Sequence, residues 1–482
     1  MKSKHIGFFL LLIAIIAISF FYAYPKMLQL LPQGSHLWRQ ADCMAMTSNY
    51  KQFQLPFLQS ATYNLQSVNG NVAGEFPLFY FLAAKFSNPD YALRCMHTSI
   101  LFIGILSVYF IAFYFLERTL LSIFCALLIF ASPLLVFYGN NFLSDVPALC
   151  FALLGWSFFL NHHKKENLFW MLFAFLCFAM ASLLKASEAI NFVLLLLFLF
   201  RCRNVESKFK SKISLLLFSF LLFFAWYIYA KHYNKINHDH YYFLSISPIW
   251  KLSLQDIGLA IWRMVVSNSK NYFWRPTSMA VLCSVYFLIK HWKKLNEDLR
   301  FFILSSFTLV ALYILFFCQK MIGHEYYYVP FFVCFLFLII GLLKVYNLFY
   351  SENIFAHTFL FLCLIPNVIF CKNFVEEKCS DNLPNGYYSS AAMQDFLKKN
   401  GVTKDKIVIS LPDDSPNKTL YQIKRKGYTE FNDYLFLLKN KKADFLLLRM
   451  DCFIHAEKFK PYQTDSIGNF NGIVLYKLRK LD

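Results

Sequence analysis

Charged residues are scarce in this sequence. Asp, Glu, Lys and Arg make up 16% of its 482 residues, whereas hydrophobic residues make up 58%. An ordinary soluble domain carries about 25% charged residues, so this composition excludes a soluble globular protein. The chain therefore needs a lipid bilayer as its solvent.

The sequence also lacks the cysteine spacings of a disulfide framework or a zinc site. Most of its 13 cysteines lie inside apolar runs, and no CxxC pair occurs. We therefore predict neither a disulfide framework nor a zinc site. Internal repeats and long low-complexity tracts are absent too, and the absence of repeats disfavours a transporter built from inverted halves.

Long apolar runs occupy most of the chain before its last segment. The first run is longer than the ~7 to 15 residues of a signal-peptide core, and no small-residue cleavage site follows it. We therefore interpret it as a membrane helix. Several other runs are shorter than the roughly 17 to 25 residues expected of a span. In all, the sequence predicts about eleven transmembrane helices, at residues 6–24, 95–116, 120–137, 146–160, 168–184, 186–200, 213–229, 276–289, 301–317, 329–343 and 354–370.

The basic residues indicate how these helices are oriented. A net charge of +19 would suggest nucleic acid as the partner of a soluble protein. With the N-terminus in the cytoplasm, however, 15 Lys and Arg fall in inner segments and only Lys185 and Lys320 in short outer connections. Cytoplasmic loops carry such an excess. We predict a multi-pass cell-membrane protein, in the inner membrane if the cell is Gram-negative, with a cytoplasmic N-terminus and no nucleic-acid partner.

An odd number of spans places three regions outside the membrane. Two are long loops, at about residues 25–91 and 231–275, and the third is everything after the last span. The predicted domains are a transmembrane domain over residues 1–371, which includes both loops, and an extracytoplasmic domain over residues 372–482.

Helical and strand patterns alternate in the last segment, as is typical of a small α/β domain. Ser389 or Ser390 is placed to cap a helix that ends at Gly401, and a strand, KIVISL, follows. KTLYQIKRKG and DYLFLLKNKK predict two further helices, and DFLLLRM and GIVLYKL two further strands. The predicted fold is thus an α-helical polytopic membrane protein with a small C-terminal soluble α/β domain.

The first outer loop carries two candidate carboxylates. Asp42 and Arg39 lie beside Trp38, at the start of an amphipathic pattern over residues 41–53 that suits a helix at the membrane surface. Glu75 follows later in the loop, just before a proline and an aromatic-rich stretch. The alternative interpretation is that Asp42 only caps or solvates its helix and that Glu75 is only solvated.

The third candidate carboxylate is Asp145, at the outer mouth of the fourth predicted span. There, it or Ser144 would also serve as an ordinary helix N-cap. Lys185 lies on the same side, between the fifth and sixth spans. A charge at such a mouth is costly and usually has a partner or a function. Glu188, three residues on, is the partner that helical spacing favours, so an ion pair and phosphate binding both remain open.

Three further outer residues complete the candidate site. Arg275 ends the second long loop, and His324 and Tyr326 lie between the ninth and tenth predicted spans. Aromatic residues at this depth are also typical of the interfacial belt. A lone histidine is more often structural than catalytic. These positions are therefore candidates only because other candidate residues lie on the same side of the membrane.

Five segments, in this order, resemble the GT-C superfamily: WRQAD, GEFPLF, SPLLVFYGNNFLSDVPAL, LLKASEA and HEYYYVP. The chain is most similar to the protein O-mannosyltransferases and the aminoarabinose transferase of lipid A. The resemblance covers most of the first 345 residues and rests on the order and shared outer location of short motifs. It implies a membrane glycosyltransferase that takes a sugar from a polyprenyl-phosphate donor and gives it to a lipid, glycan or protein acceptor.

The resemblance assigns roles to the three carboxylates. Asp42 looks like the family's first-loop catalytic aspartate, Glu75 like the glutamate of its acidic-x-Pro motif, and Asp145 like the acid of the second outer loop. The sequence departs from the family at two positions. Cys43 stands where many members have a second acid, and Phe76 stands where the aminoarabinose enzymes have lysine. Donor and acceptor identity therefore do not carry over.

The same resemblance assigns the cationic and ring positions. Lys185 looks like the phosphate-contacting lysine, and His324 and Tyr326 look like the pair that lines the site. Lys185, with Arg275 and Arg39, would neutralise the departing polyprenyl phosphate while the first-loop aspartate takes the acceptor proton. A single displacement of this kind would invert the anomeric centre.

Metal use and one competing function stay open. Carboxylates suit divalent cations, so Asp42 and Asp145 are candidate ligands, but two carboxylates on separate loops are too few to assert a metal. The strongest competing class is a polytopic lipid or glycolipid flippase or transporter. The glycosyltransferase hypothesis predicts that the three carboxylates and Lys185 converge on one outer cavity.

Overall fold

The computed structural model describes residues 2–203, 208–242, 248–380, 390–432, 443–449 and 463–478. Helices make up most of these residues. In chain order they are α1 Lys2–Phe21, α2 Tyr24–Met27, α3 Leu37–Phe53, α4 Leu78–Ala83, α5 Pro89–Leu116, α6 Thr119–Phe130, α7 Pro133–Gly139, α8 Asp145–Lys165, α9 Leu168–Leu184, α10 Ile190–Arg201, α11 Phe209–Ile236, α12 Leu254–Trp262, α13 Ser269–Tyr272, α14 Arg275–Lys290, α15 Glu297–Gly323, α16 Phe331–Tyr350, α17 Ile354–Leu362, α18 Leu364–Ser380, α19 Ala391–Lys399 and α20 Lys418–Ile423. The strands are β1 Val408–Leu411, β2 Gly427–Tyr428, β3 Phe445–Arg449, β4 Gln463–Phe470 and β5 Ile473–Leu478.

Several helices are long and apolar enough to cross a membrane. Among the described residues there are 5 of them, namely α5, α11, α15, α16 and the stretch Ile354–Cys379. The bent pair of α6 and α7 raises the number to 6, and His5–Phe21 and Leu168–Leu184 are shorter apolar helices. The chain is a multi-pass membrane protein, but the predicted number of about eleven spans is not confirmed.

One predicted span is broken by a proline. The run predicted over residues 120–137 divides into α6 and α7, which bend by 69° relative to each other. Pro133 is the first residue of α7. Because proline has no N–H to donate and its ring clashes with the preceding turn, a helix breaks or kinks there.

The described chain forms two compact units. Unit 1 comprises Met1–Leu28, Arg94–Tyr227 and Ser245–Glu377, and unit 2 comprises Gln29–Leu93, Ile228–Leu244 and Lys378–Asp482. Most of the first predicted outer loop thus belongs to the same unit as the C-terminal segment. The domain boundary between residues 371 and 372 stays a prediction.

Aromatic rings fill the centre of unit 1. Trp156 is fully buried, and its ring centroid lies 5.3 Å from that of Phe302, which stacks on Phe337 at 4.6 Å. The indole N–H of Trp156 donates to Asn191 (2.9 Å), so the ring is buried without an unpaired donor. On the outside, residues such as Leu221 are 65% exposed. An apolar exterior of this kind suits contact with lipid.

A mixed five-stranded sheet forms the C-terminal part of unit 2. Its order is β2-β1-β3-β5-β4, with β1 parallel to β2 and β3, and β5 antiparallel to β3 and β4. The parallel strands are buried along nearly their whole length, as is typical of strands covered on both faces. The predicted C-terminal sheet is therefore confirmed, whereas its existence as a separate domain stays a prediction.

The local predictions for this domain have different outcomes. Ser390 caps α19 by accepting a hydrogen bond from the backbone N–H of Met393 (3.0 Å), as predicted. The predicted strands KIVISL, DFLLLRM and GIVLYKL are present as β1, β3 and β5, whereas β2 and β4 were not predicted. The second predicted helix is shorter than its pattern, because α20 ends at Ile423. The predicted helix DYLFLLKNKK lies outside the described residues.

Candidate active site

Asp42 lies in the interior of α3, in unit 2. The helix begins at Leu37, with His36 in the N-cap position, so Asp42 is not a capping residue. Its side chain is 0% exposed, so it is not solvated either. Eleven of the 17 residues of α3 are buried. Its location at the membrane surface stays a prediction. A buried carboxylate is costly unless it is hydrogen-bonded.

Four groups surround the Asp42 carboxylate. The Tyr242 hydroxyl (3.0 Å) and the Asn417 side-chain amide (2.9 Å) donate to its Oδ1. The Tyr241 hydroxyl donates to Oδ2 (3.3 Å), and Nη1 of Arg39 lies 4.0 Å from the same oxygen. We refer to these four residues and Asp42 as the Asp42 cluster.

The environment raises the pKa of Asp42 from 3.8 to about 6. Burial is the largest cause, because desolvation disfavours the charged carboxylate. Arg39, then Asn417, Tyr242 and Tyr241, act in the opposite direction. A carboxyl group with this pKa is ionised at neutral pH and still basic enough to accept a proton.

Glu75 lies next to the Asp42 cluster rather than inside it. Its carboxylate forms an ion pair with Arg39 and is 11% exposed. Arg39 therefore links Glu75 to Asp42. Cys43, where related enzymes often have a second acid, accepts a hydrogen bond from the Tyr80 hydroxyl (3.2 Å). Burial raises the pKa of the Cys43 thiol to about 12, so it adds no charge.

Three members of the Asp42 cluster were missed in the sequence. Tyr241 and Tyr242 lie in the second outer loop, which was predicted only as a loop. Asn417 was not singled out, because residues 415–419 carry only the pattern of a helix start. Along the chain, Tyr242 is 200 residues from Asp42, and Asn417 is 375 residues from it. No local pattern in the sequence signals contacts over such separations.

Unit 1 contains a second charged cluster, built on Asp145 and Lys185. Nζ of Lys185 lies 3.0 Å from Oδ1 of Asp145, and both side chains are less than a tenth exposed. Asp145 is the first residue of α8, and the N-cap is Ser144, whose hydroxyl donates to the Leu184 carbonyl (3.2 Å). The interpretation of Asp145 as an N-cap is therefore wrong. A carboxylate in the first turn is nevertheless favoured by the helix dipole.

Lys185 also faces two aromatic rings. Its Nζ lies 5.3 Å from the ring centroid of Tyr326 and 5.6 Å from that of Tyr327. The ion pair with Glu188 that helical spacing favoured is replaced by the pair with Asp145, because α9 ends at Leu184 and Lys185 has an extended backbone. The Glu188 carboxylate instead accepts a hydrogen bond from the Asn191 side chain (2.8 Å).

The turn that carries Tyr326 is held by Glu325. The Tyr138 hydroxyl donates to one carboxylate oxygen of Glu325 (2.9 Å), and the Asn271 amide donates to the other (2.8 Å). His324 ends α15, and its ring stacks on that of Tyr326 with centroids 5.3 Å apart. His324 thus packs on Tyr326, whose ring faces Lys185. The role of His324 and Tyr326 as residues that line the site stays a prediction. The positioning role of Glu325 was not predicted.

Arg275 is separate from these contacts. It is the first residue of α14 and is exposed. Within the described part of the chain, its side chain makes no hydrogen bond or ion pair. The structure does not bring it into contact with the other predicted site residues of unit 1.

The described residues contain no group of three or more His, Cys, Asp or Glu arranged to hold a metal ion. Around Asp42, the neighbours are hydrogen-bond donors and a guanidinium, which stabilise an anion rather than share a cation. The donor set of the Asp42 cluster therefore does not fit a metal.

Comparisons with known proteins identify the fold. Neither a protein-family model nor any curated protein sequence matches this chain. Among solved structures, ArnT from Cupriavidus metallidurans in the apo state covers 96% of this chain and 97% of its own, with a TM-score of 0.64 at 9% identity. The same protein bound to undecaprenyl phosphate gives a TM-score of 0.63.

Two further structures share the fold. The arabinofuranosyltransferase AftD from Mycobacteria matches 98% of this chain but 40% of its own length, with a TM-score of 0.58 at 12% identity. The archaeal oligosaccharyltransferase AglB from Archaeoglobus fulgidus, in complex with an inhibitory peptide and a dolichol-phosphate, has a TM-score of 0.51 at 12% identity and matches 98% of this chain and 74% of its own. These are glycosyltransferases of the GT-C type, so the chain has the GT-C fold that the motifs implied.

Proposed function

We propose that this protein is a membrane glycosyltransferase that moves a sugar from a polyprenyl-phosphate carrier to a hydroxyl group of a lipid, glycan or protein on the outer face of the membrane. Its fold is shared with ArnT, which has been solved with undecaprenyl phosphate, and with AglB, which has been solved with a dolichol-phosphate. The head group of a carrier whose tail stays in the bilayer can be reached laterally by an enzyme that is itself embedded in the membrane. The many apolar helices suit an enzyme of this kind.

The buried carboxylate of Asp42 is the observation that carries this proposal. It acts as the general base that accepts the proton of the acceptor hydroxyl. Oδ1 is covered by two short hydrogen bonds, from Tyr242 and Asn417, whereas Oδ2 has the longer contacts with Tyr241 and Arg39. Oδ2 is therefore the oxygen that receives the proton.

The bond changes follow from this assignment. The acceptor oxygen forms a bond to the anomeric carbon as the bond from that carbon to the phosphate oxygen breaks. The acceptor proton passes to Asp42, and the electron pair of the broken bond leaves with the polyprenyl phosphate. Because attack and departure occur on opposite faces in one displacement, the anomeric configuration inverts.

The Lys185 cluster supplies the charge that the departing phosphate needs. In the free protein Asp145 neutralises Lys185, which makes a buried ammonium group tolerable. The Tyr326 ring and the ammonium lie 5.3 Å apart, an arrangement that holds the cation by its interaction with the ring face. Arg275, which is exposed and forms no ion pair within the described residues, provides a second cation for the carrier head group.

Arg39 has a different role from the one predicted. Because Arg39 contacts the carboxylates of both Glu75 and Asp42, we assign it to stabilising the ionised form of Asp42 rather than the leaving phosphate. Glu75 holds Arg39 in place and does not itself exchange a proton. The neighbours of Asp42 are hydrogen-bond donors and a guanidinium, and this mechanism routes no step through a metal ion.

Membrane topology is part of the proposal. The excess of Lys and Arg in the predicted inner segments favours a cytoplasmic N-terminus, an extracytoplasmic C-terminal segment and chemistry on the outer face.

The proposal is tested by measuring transfer of radiolabelled sugar from polyprenyl-phosphate donors in membranes that carry wild-type protein, Asp42→Asn or Asp90→Asn. Asp90 is a matched control, because it is a carboxylate of unit 2 that accepts a hydrogen bond from Tyr421 and makes no contact with Asp42. Transfer should be abolished by Asp42→Asn and retained by Asp90→Asn, with equal amounts of each protein inserted. Full transfer by Asp42→Asn would overturn the role of the base.

A further inference from the structure

Resting on the proposed function, we propose that Asn417 is a positioning residue of the reaction, which fixes the Asp42 carboxylate so that one oxygen stays available to the acceptor. The C-terminal segment would then contribute directly to the presentation of the base. Asn417 and Asp42 are both 0% exposed, and Tyr242 is 8% exposed, so water does not compete for the hydrogen bonds between them.

The Asn417 amide nitrogen donates to two groups of this site. It lies 2.9 Å from Oδ1 of Asp42 and 2.8 Å from the hydroxyl oxygen of Tyr242. The Tyr242 hydroxyl in turn donates to the same Oδ1 (3.0 Å). The three groups therefore form a closed triangle, and Asn417 directs the tyrosine as well as the carboxylate.

The amide has only one satisfactory orientation. Its oxygen accepts a hydrogen bond from the backbone N–H of Asn64 (3.1 Å). A flipped amide would place that oxygen against the carboxylate and its NH2 group against the Asn64 N–H, losing every one of these bonds. Asn64 is itself fixed, because its side chain donates to the Pro416 carbonyl (2.9 Å) and exchanges hydrogen bonds with Asn432 (2.9 and 3.1 Å).

The segment on both sides of Asn417 is held by a second carboxylate. One oxygen of Asp413 accepts from the backbone N–H (2.9 Å) and hydroxyl (2.7 Å) of Ser415, and the other accepts from the backbone N–H (2.7 Å) and hydroxyl (2.8 Å) of Thr419. Asp413 thereby fixes the chain two residues before and two residues after Asn417. A rigid support of this kind is what a positioning residue requires.

An anchor for the fold alone would use the same contacts, so the test must depend on the charge of Asp42. The charged and titratable groups around that carboxylate are Arg39, Tyr241 and Tyr242, with Glu75 paired to Arg39. Among the described residues of the C-terminal segment, only Asn417 donates to the carboxylate. Removing this donor disfavours the ionised carboxylate, so the pH at which the base becomes active should rise.

The experiment compares pH profiles of kcat/KM for full-length protein in liposomes, with polyprenyl-phosphate-linked sugar as donor. The acid limb is the part of the profile in which kcat/KM falls as the pH decreases. Asn417→Ala should move the acid limb to higher pH by about one unit. This shift lowers kcat/KM about fivefold at pH 6 and leaves it nearly unchanged at pH 8. Asn417→Asp keeps the acceptor for Asn64 and the volume but replaces the donor with a like charge. It should therefore move the limb further than Asn417→Ala.

An anchor role predicts the reverse order, because the aspartate variant preserves more of the packing and the bond to Asn64. The control is Tyr421→Phe, which removes a hydrogen bond to Asp90 from the same segment without touching Asp42 or the contacts of Asp413. Its pH profile should match that of the wild type. An unchanged acid limb in Asn417→Ala, or a limb that Tyr421→Phe moves equally, would overturn the proposal.

A second measurement does not require transfer activity. The thermal unfolding temperature of Asn417→Ala should fall relative to that of the wild type between about pH 6 and pH 7, because Asp42 then stays protonated to a higher pH in the folded variant. In an Asp42→Asn background the same substitution should produce no pH-dependent difference. A difference that persists in that background would overturn the inference. An inactive wild type with the expected unfolding behaviour would instead defeat the proposed function alone.

Discussion

With Asp42 as the general base, the rate of sugar transfer should depend strongly on pH. Burial raises the pKa of Asp42 from 3.8 to about 6. Because the base acts in its ionised form, kcat/KM should be near its maximum above pH 7 and fall about tenfold per pH unit below pH 6. The donor is a phosphodiester and does not titrate in this range. A profile measured from pH 4.5 to 8.5 with purified protein in liposomes provides the test.

The same pKa also predicts how stability depends on pH. A carboxyl group whose folded pKa is raised prefers its neutral form in the folded protein, so its favourable contribution is present at low pH and is lost as the pH rises to about 6. The difference of about two pH units corresponds to about 3 kcal/mol in the free energy of unfolding. Asp42→Asn removes this dependence.

As the pH increases from 4 to 6, the unfolding temperature of Asp42→Asn should therefore rise relative to that of the wild type. Above pH 6, the difference between the two temperatures should stay constant. The readout is intrinsic tryptophan fluorescence of the detergent-solubilised protein during heating. A constant difference over this range, together with an acid limb near pH 4, would show that Asp42 is solvated and would contradict the assignment of the base.

Three substitutions test the charges around Asp42 and around Lys185. Glu75→Gln removes the carboxylate that pairs with Arg39, and the remaining cation then favours the ionised form of Asp42. The pH below which kcat/KM falls should therefore decrease by about one unit at most. An increase in that pH would contradict this role. Lys185→Met leaves Asp145 buried without a cation and should lower the free energy of unfolding by about 3 to 5 kcal/mol. Adding Asp145→Asn should recover most of that stability in thermal unfolding but none of the transfer activity, and recovered transfer would exclude phosphate binding by Lys185.

Local patterns were enough to predict the main elements of the fold. Hydrophobic run length indicated membrane helices, and the buried strands β1, β3 and β5 followed from short runs of Val, Ile and Leu. The motif WRQAD also placed Arg39 and Asp42 three residues apart, and the structure has them on the same face of α3. These features depend on residues close together in the chain, which is why the sequence reveals them.

Long-range contacts could not be predicted in the same way. The donors from Tyr242 and Asn417 reach Asp42 across 200 and 375 residues, and nothing near either residue distinguishes it from an ordinary loop residue. The partner of Lys185 was uncertain for a related reason. Spacing along an unbroken helix favours Glu188, but the end of α9 at Leu184 removes that geometry.

The span count depends on where helices break. A run of apolar residues gives the total length of a segment but not the point at which its backbone bends. Pro133 explains the bend between α6 and α7. Length and composition alone therefore do not fix the number of membrane crossings.

The most direct measurement follows both products of a single reaction. Purified protein in liposomes is given polyprenyl-phosphate-linked radiolabelled sugar and a hydroxyl-bearing acceptor extract, and released polyprenyl phosphate and glycosylated acceptor are quantified together. We expect equal amounts of the two products from the wild type and neither from Asp42→Asn. Movement of the intact donor across the bilayer, with no polyprenyl phosphate released, would contradict glycosyl transfer and identify the protein as a lipid transporter.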